Sequence, residues 1–275
     1  MNTSNPPTQS MPARRPAGRA ARIGLALATT ALAAGCAHVP HPTPQDPWES
    51  YNRTMYASND FLDRALLKPI ATGYASITPR PVRTCIHNIF GNVGDVWSAV
   101  NSFIQGRGHD FVNTLGRVLF NSTMGLGGCI DVASMNGARK IPNDFGVTLG
   151  VWGFDTGPYM VLPFLGPSSV RDGIGTGVTL VSPVSSTSAI FAINDVPVRN
   201  SLLGLYFVDM RANLLETDRL IDQVALDRYS FIRDAYLQRR QSMVQSRRQG
   251  GQAAGEQAPD YTDPTLPDYS DPEDK

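Results

Sequence analysis

Few side chains in this sequence have the chemistry to break bonds. A hydrolase working at a lipid surface would hold its nucleophile in a G-x-S-x-G elbow. Ser168 and Ser169 instead stand in "GPSSV", with no glycine two places on. His87 and His109 are the histidines of the folded part, and neither belongs to an H-E-x-x-H spacing, so surface or capping roles are expected. Asp144, Asp155, Asp172 and Asp195 each sit beside Asn, Gly, Phe or Pro, the setting of caps and turns rather than of an acid–base pair. Cys85 and Cys129 lack metal-type spacing and stay open between one disulfide and two buried thiols. These residues predict no catalytic group, no metal and no cofactor.

The remaining cysteine, Cys36, has a different chemistry. Arg14, Arg15, Arg19 and Arg22 precede the uncharged run "IGLALATTALAAGC". The apolar part, Ile23 to Ala34, is shorter than the roughly 20 residues that span a bilayer, so residues 1–35 read as a secretory leader. Ala34 and Gly35 fit the two positions before a lipid-modified cysteine, while Ala33 stands where Leu is usual, with Leu32 one place away. Cys36 is therefore expected to carry the lipid anchor, with plain secretory cleavage as the alternative. Met11 would give a leader of more ordinary length.

Removing residues 1–35 takes away four arginines and no acid, leaving 20 basic against 24 acidic side chains. Binding of nucleic acid by bulk charge is thereby disfavoured. Residues 36–47 form a Pro-rich tether, "AHVPHPTPQDP" within it, and the Gly-, Pro- and acid-rich end predicts a disordered tail over 246–275. Residues 48–245 suffice for one domain.

Within that domain the apolar spacing is helical. Asp46 and Pro47 begin a helix carrying Tyr51, Met55, Leu62 and Leu66, which Pro69 should stop. A second segment starts at "TPRPVR" and carries Ile86, Ile89 and Phe90; a third carries Val96, Val100, Phe103 and Ile104. Asp110 caps a fourth with Phe111, Leu115, Val118 and Leu119. Leu203, Phe207, Met210, Leu214, Ile221 and Val224 mark an amphipathic helix whose charged faces hold Asp209, Arg211 and Asp218, and "YSFIRDAYLQRRQSMVQ" follows it. This late pair is expected to face water. Strand-like alternation is scarce, so the expected class is all-α, with an irregular Gly/Pro-rich middle.

That middle is the unusual part. From Phe145 to Asn194 the only charged side chains are Asp155, Arg171 and Asp172, while Pro158, Pro163, Pro167 and Pro183 break any continuous helical ladder. Irregular backbone bare in hydrocarbon costs several kcal/mol per unsatisfied group, so the segment cannot simply span a bilayer. It either folds inside a soluble core or lies at a membrane interface. An anchored chain favours the interface, where Trp152, Phe154 and Tyr159 would be at home. Arg171 and Asp172 form either a structural ion pair at a turn or, through Arg171, a contact for a phosphate headgroup.

Several blocks in order resemble the MlaA/VacJ family of Gram-negative outer-membrane lipoproteins: "DPWESYNRTMY" at 46–56, "NIFGNVGDVWSAVNSFIQG" at 88–106, "RVLFNSTMGLGGCIDVA" at 117–133, "DFGVTLGVWGFDTGPYMVLPFLGPSSVRDGIG" at 144–175 and "IRDAYLQRR" at 232–240. Cys85 and Cys129 are outside that pattern. The resemblance implies a helical ring in the inner leaflet of the outer membrane, bound to a trimeric porin. Misplaced phospholipid would leave the outer leaflet through its polar channel and pass to a soluble periplasmic carrier. Ala37, after the anchor cysteine, agrees with export to the outer membrane. The implied chemistry is lipid movement without bond breaking. The expected site residues are Cys36 as anchor, Gly157, Pro158, Tyr159, Pro163, Phe164, Gly166 and Pro167 as the membrane-facing segment, and Arg171 and Asp172 at its polar turn. Asn52, Arg53, Arg117, Asn121 and Asp131 lie in matching blocks, with internal hydrogen bonding as their expected role. The rival readings are a lipid-anchored structural envelope protein and a membrane-bound phospholipid hydrolase.

Overall fold

The computed structural model describes residues 43–250. The leader, Cys36, most of the tether and the tail from residue 251 lie outside the described residues. Helix α1 spans Glu49–Leu62, and a π-helical turn, Asp63–Leu67, joins it to α2, Lys68–Ile77. Pro69 was expected to end this helix and does not. The π turn shifts the ladder so that the Lys68 N–H donates to the Asp63 carbonyl, and Pro69 falls in the first turn of α2, where its missing N–H costs nothing. The expected second and third segments are one helix, α3, Arg80–Ile104, with Pro81 in its first turn.

Helix α4, Gly108–Thr123, packs back along α3, and the short α5, Val132–Met135, closes that corner. A disulfide joins Cys85 on α3 to Cys129 in the α4–α5 turn, across 44 residues of chain. Helix α6, Phe145–Val151, opens the uncharged middle and is followed by a two-stranded antiparallel hairpin, β1 Tyr159–Leu162 and β2 Gly166–Ser169, pairing Tyr159 with Ser169 and Leu162 with Gly166. Helices α7, Val170–Val181, and α8, Ser186–Phe191, come next. The stretch Val170–Phe191 is long and apolar enough to cross a membrane, yet its ladder breaks at Ser182, whose backbone is extended before Pro183. The expected single late helix is two, α9 Val196–Asn213 and α10 Leu215–Val224, before α11, Arg228–Arg248. Asp144 and Asp195 cap α6 and α9 as their neighbours suggested, accepting from the Val147 and Val198 N–H groups.

The largest departure from expectation is which way the helix faces point. Among the described residues the buried set holds 11 apolar side chains and 24 polar or charged ones. The inward stripe of α3 is Asn92, Asp95, Ser98, Asn101 and Ser102; that of α4 is Asp110, Thr114, Arg117 and Asn121. These recur at three- and four-residue steps, so each is one face of a helix. Phe103, Val112, Leu119 and Phe120 point outward. Asp110 is not the cap of α4 but a buried member of this stripe, bonded by Arg107 Nε at 2.6 Å. Likewise Asp209, Arg211 and Asp218 were expected in water and are buried, while Met210, Leu214, Leu220 and Val224 are exposed. A chain folded against water alone would do the reverse.

The polar interior leaves little room for side chains where α6 meets α7. A Cβ on Gly175 would lie 2.4 Å from the Gly146 nitrogen and 2.7 Å from its Cα, both backbone atoms that cannot turn aside. Gly175→Ala is therefore expected to destabilise the fold by about 1–3 kcal/mol, the usual range for overpacking. Thermal unfolding in detergent checks this, with Gly177→Ala, whose Cβ meets nothing within 4 Å, as the silent control.

Candidate functional site

The hairpin is held by a helix far away in sequence. Asn52 and Asn59 are seven residues apart on α1, two turns along one face. The Asn52 amide donates to the Tyr159 carbonyl at 3.1 Å and accepts from the Val161 N–H at 2.8 Å, so one side chain does the work of a neighbouring strand. Asn59 repeats this at the tip, donating to the Leu162 carbonyl and accepting from the Phe164 N–H, each at 2.9 Å. A third Asn52 hydrogen bond goes to Asp46 at 2.7 Å. Asp46, expected as a helix start, is wholly buried instead and also accepts from the Tyr229 hydroxyl and, at 3.3 Å, from Arg233.

The tip is thus fixed in backbone and bare in side chain. Phe164 is 82 % exposed with φ +63°, a left-handed conformation uncommon for an aromatic residue, and Pro163 and Leu165 flank it. Gly157 and Gly166, at φ +67° and +82°, make the bends that L side chains resist. Pro158 gives its carbonyl to Val170 at 3.1 Å, closing the base of the hairpin. Tyr159 was grouped with the outward residues and is fully buried. It faces Tyr229 and Tyr236 with ring centroids 6.2 Å away in both cases, because alternation along a four-residue strand turns it and Val161 inward.

Arg171 and Asp172 are each 5 % exposed and belong to a larger network than their neighbouring positions suggest. Arg171 Nε donates to Asp172 Oδ1 at 3.1 Å and its Nη1 to Thr156 at 3.1 Å. Arg240 on α11 completes the cluster, reaching Asp172 through Nε and Nη2, both at 2.9 Å, and Asp144 through Nη1 and Nη2 at 2.5 and 2.8 Å. Tyr236 adds its hydroxyl to Asp172 at 2.8 Å. Burial by itself would raise the Asp172 pKa, but the hydrogen bonds and charge of Arg240, then Arg171 and Tyr236, hold it below the usual carboxylate range. Arg240 was quoted in a matching block without a role. Its signal, an Arg on a distant helix facing two acids, Asp144 and Asp172, needs the fold to be seen.

Arg117, Asn121 and Asp131 form a second closed network. Arg117 grips both Asp131 oxygens at 2.9 and 3.0 Å and donates to the Ala138 carbonyl at 2.6 Å, while Asn121 donates to Asp131 at 2.9 Å. Arg53 bridges Glu49 and Asp227 near the surface at 2.8 and 2.7 Å. His87 lies 3.0 Å from Asp209, and Ser169 caps α7 by accepting from the Asp172 N–H at 3.2 Å.

Two cavities meet at the hairpin. The outer one, about 540 Å³, has apolar walls from Leu62, Leu66, Val161, Phe164, Phe207 and Ile232, with Asp60, Asp63 and Arg228 among them. The inner one, about 290 Å³, is lined by Asp144, Ser168, Asp172, Thr176, Tyr236 and Arg240. Leu165 and Pro167 line both, so the hairpin turn and β2 form a shared wall, with an apolar space on one side and a mixed space that holds the ion cluster on the other. Such a pair suits a molecule with an apolar body and a polar end.

Residues 44–243 match the family profile described as "MlaA lipoprotein". The chain is 36 % identical over 221 residues to the intermembrane phospholipid transport system lipoprotein MlaA of Escherichia coli, covering 78 % of this chain and 85 % of that protein. It is 33 % identical over 202 residues to the protein of the same name from Haemophilus influenzae, covering 72 % and 79 %. A solved structure, described under the structural basis for maintenance of bacterial outer membrane lipid asymmetry, superposes with a TM-score of 0.61 at 33 % identity, covering 72 % of this chain and 98 % of that one.

Arg240→Met would leave Asp172 buried without its main partner and is expected to cost about 3–5 kcal/mol in unfolding free energy; adding Asp172→Asn should restore part of it, which a double-mutant cycle measures. Acid should act on the same bonds. The Arg53 hydrogen bond holds the Asp227 carboxyl down at about 2, and Asp172 and Asp218 are also depressed because Arg or Lys partners outweigh burial. Groups with lowered folded pKa stabilise above their unfolded value, about 4, and that stability is lost as pH falls through the folded value. Asp95, raised mainly by burial, opposes the trend. Unfolding temperature in detergent is therefore expected to be level from pH 5 to 7 and to drop between about pH 4 and 2.

Proposed function

The chain belongs to the MlaA lipoprotein family, and from that premise we propose that it removes misplaced phospholipid from the outer leaflet of the outer membrane and so maintains lipid asymmetry. The observation that carries this reading is the inverted surface, a charged and hydrogen-bonded interior beneath a shell of exposed Phe, Leu, Ile and Val side chains. Such a shell is costly in water and at home against lipid tails, whereas an interior of Arg–Asp pairs offers a polar surface to a headgroup.

The finer picture is part of the same proposal. Cys36 carries the lipid anchor on a Pro-rich tether that ends before the buried Asp46, and the body through Arg248 forms a ring seated in the inner leaflet from the periplasmic side. The broken middle segment, with Gly157, Pro158, Pro163, Phe164, Gly166 and Pro167, borders the lipid path. Headgroups move past polar side chains and avoid the several kcal/mol that bare passage through hydrocarbon costs. A trimeric porin holds the ring, and a soluble periplasmic carrier takes the lipid onward. The residues bind and orient lipid and break no bond. Ser168 and Ser169 are buried and hydrogen-bonded to backbone, which supports transport over hydrolysis.

The test is phospholipid exposed on intact cells that lack the protein, probed with an enzyme that modifies only outer-leaflet lipid. Phospholipid is expected to accumulate outside, with wild type restoring the balance and Cys36→Ala failing to. An unchanged leaflet in the deletion strain would overturn the proposal.

A further inference from the structure

A third cavity lies beyond the Arg171–Asp172 pair from the inner hairpin cavity. Its volume is about 550 Å³, and it is walled by α11, by the 154–157 turn and by Arg171. Arg171 lines this cavity and Asp172 lines the inner hairpin cavity, so their ion pair stands between the two spaces. The order of linings is therefore apolar at the hairpin tip, mixed at the Arg240 cluster and polar here. A phospholipid has the same order along its own length.

The polar cavity has its own construction. Asp234, Gln238, Gln241, Gln245 and Arg248 recur at steps of four, three, four and three along α11, a single helix face turned to the space. Arg171 is 5 % exposed. Its Nη2 lies 3.1 Å from the Asp172 carboxylate but makes no hydrogen bond of its own, a buried donor without a satisfied partner. Arg233, also buried, is held by Asp46 and Asp234. Arg248 donates to the Gly150 carbonyl at 2.7 Å and makes no ion pair among the described residues. Arg171 and Arg233 are already paired, with Asp172 and with Asp46 and Asp234, so Arg248 and Asp155 are the charged groups of this lining without an ion pair among the described residues, beside a stripe of neutral amides. Phe154, Leu237 and Val244 supply an apolar edge.

Building on the lipid-transport reading above, we propose that this cavity is the headgroup station of the path, binding a phosphodiester that carries an amine, with Arg248 and Arg171 toward the phosphate and Asp155 or Asp234 toward the ammonium. Charge-assisted hydrogen bonds from guanidinium to phosphate supply the affinity. The glutamines supply weaker, replaceable contacts that let the headgroup leave.

The experiment places a photoreactive benzophenone amino acid at position 241 in the full-length chain, in cells whose phospholipid is labelled with radioactive phosphorus. The control position is 239, exposed on the same helix outside the cavity lining. Labelled lipid is expected on the protein at 241 and at background level at 239. Adding Arg248→Gln should reduce capture about tenfold, the loss of one charge-assisted hydrogen bond. In membranes, excess glycerophosphoethanolamine should compete and inorganic phosphate should not. Equal competition by inorganic phosphate would make this a site for the free anion and overturn the lipid assignment. Formation of the Cys85–Cys129 disulfide reports a folded chain, so absent capture at 241 in bridged protein also overturns the proposal. The leaflet measurement separates the two readings. Normal complementation by wild type without capture at 241 removes the headgroup station alone, whereas a leaflet unchanged by deletion removes the transport reading beneath it.

Discussion

A charge taken out of water persists only beside an opposite charge with good hydrogen-bond geometry, and this chain places such pairs where other proteins place leucine. Arg117 holds Asp131, with Asp95 3.6 Å from its Nε; Arg211 joins Asp63 to Asp218; Arg233 reaches Asp46; Arg240 joins Asp144 to Asp172. Three of these four arginines lie on α9 or α11 and bond acids that come much earlier in the chain. The polar interior is therefore also the long-range stitching of the fold. The apolar side chains are left for the outside, and a lipid environment is what makes that arrangement affordable.

This explains which parts of the fold the sequence discloses. The period of a helix is the same whether its apolar stripe faces in or out, so the segments around Phe103, Leu115 and Met210 are legible as helices. Their direction is not, since a stripe carries no label for the solvent it will meet. Asp209 and Asp218 were placed in water by a rule that holds only for proteins surrounded by it. Boundaries failed for local reasons. The π turn before Pro69 lets a helix continue through a residue that normally ends one, and α3 runs unbroken through Gly91 and Gly94, between segments that read as two. The β-hairpin escaped because its strands are four residues long and one edge is completed by Asn52 and Asn59, more than 100 residues earlier.

The candidate site shows the same division. The glycines and prolines of 157–167 announced an irregular segment, and Arg171–Asp172 announced a polar point within it. What spacing could not supply was α11. That helix contributes Arg240 and Tyr236 to the ion cluster, Tyr229 to the aromatic contact with Tyr159, and the Gln238, Gln241 and Gln245 stripe to the polar cavity. Read alone it is a charged helix fit for water. In the folded chain it is the wall against which the uncharged middle is set, and the matched block at 232–240 falls on it.

The Cys85–Cys129 bridge bears on when the molecule is finished rather than on what it does. It closes a loop that contains most of α3 and all of α4, two helices whose exposed faces are apolar. Bonds of this kind form and last in oxidising compartments. In a protein of the cell envelope, covalent closure therefore follows departure from the reducing cytosol. Once closed, the loop reduces the freedom of the unfolded chain. The helical hairpin then becomes hardest to undo in the compartment where its greasy exterior most needs a membrane to cover it.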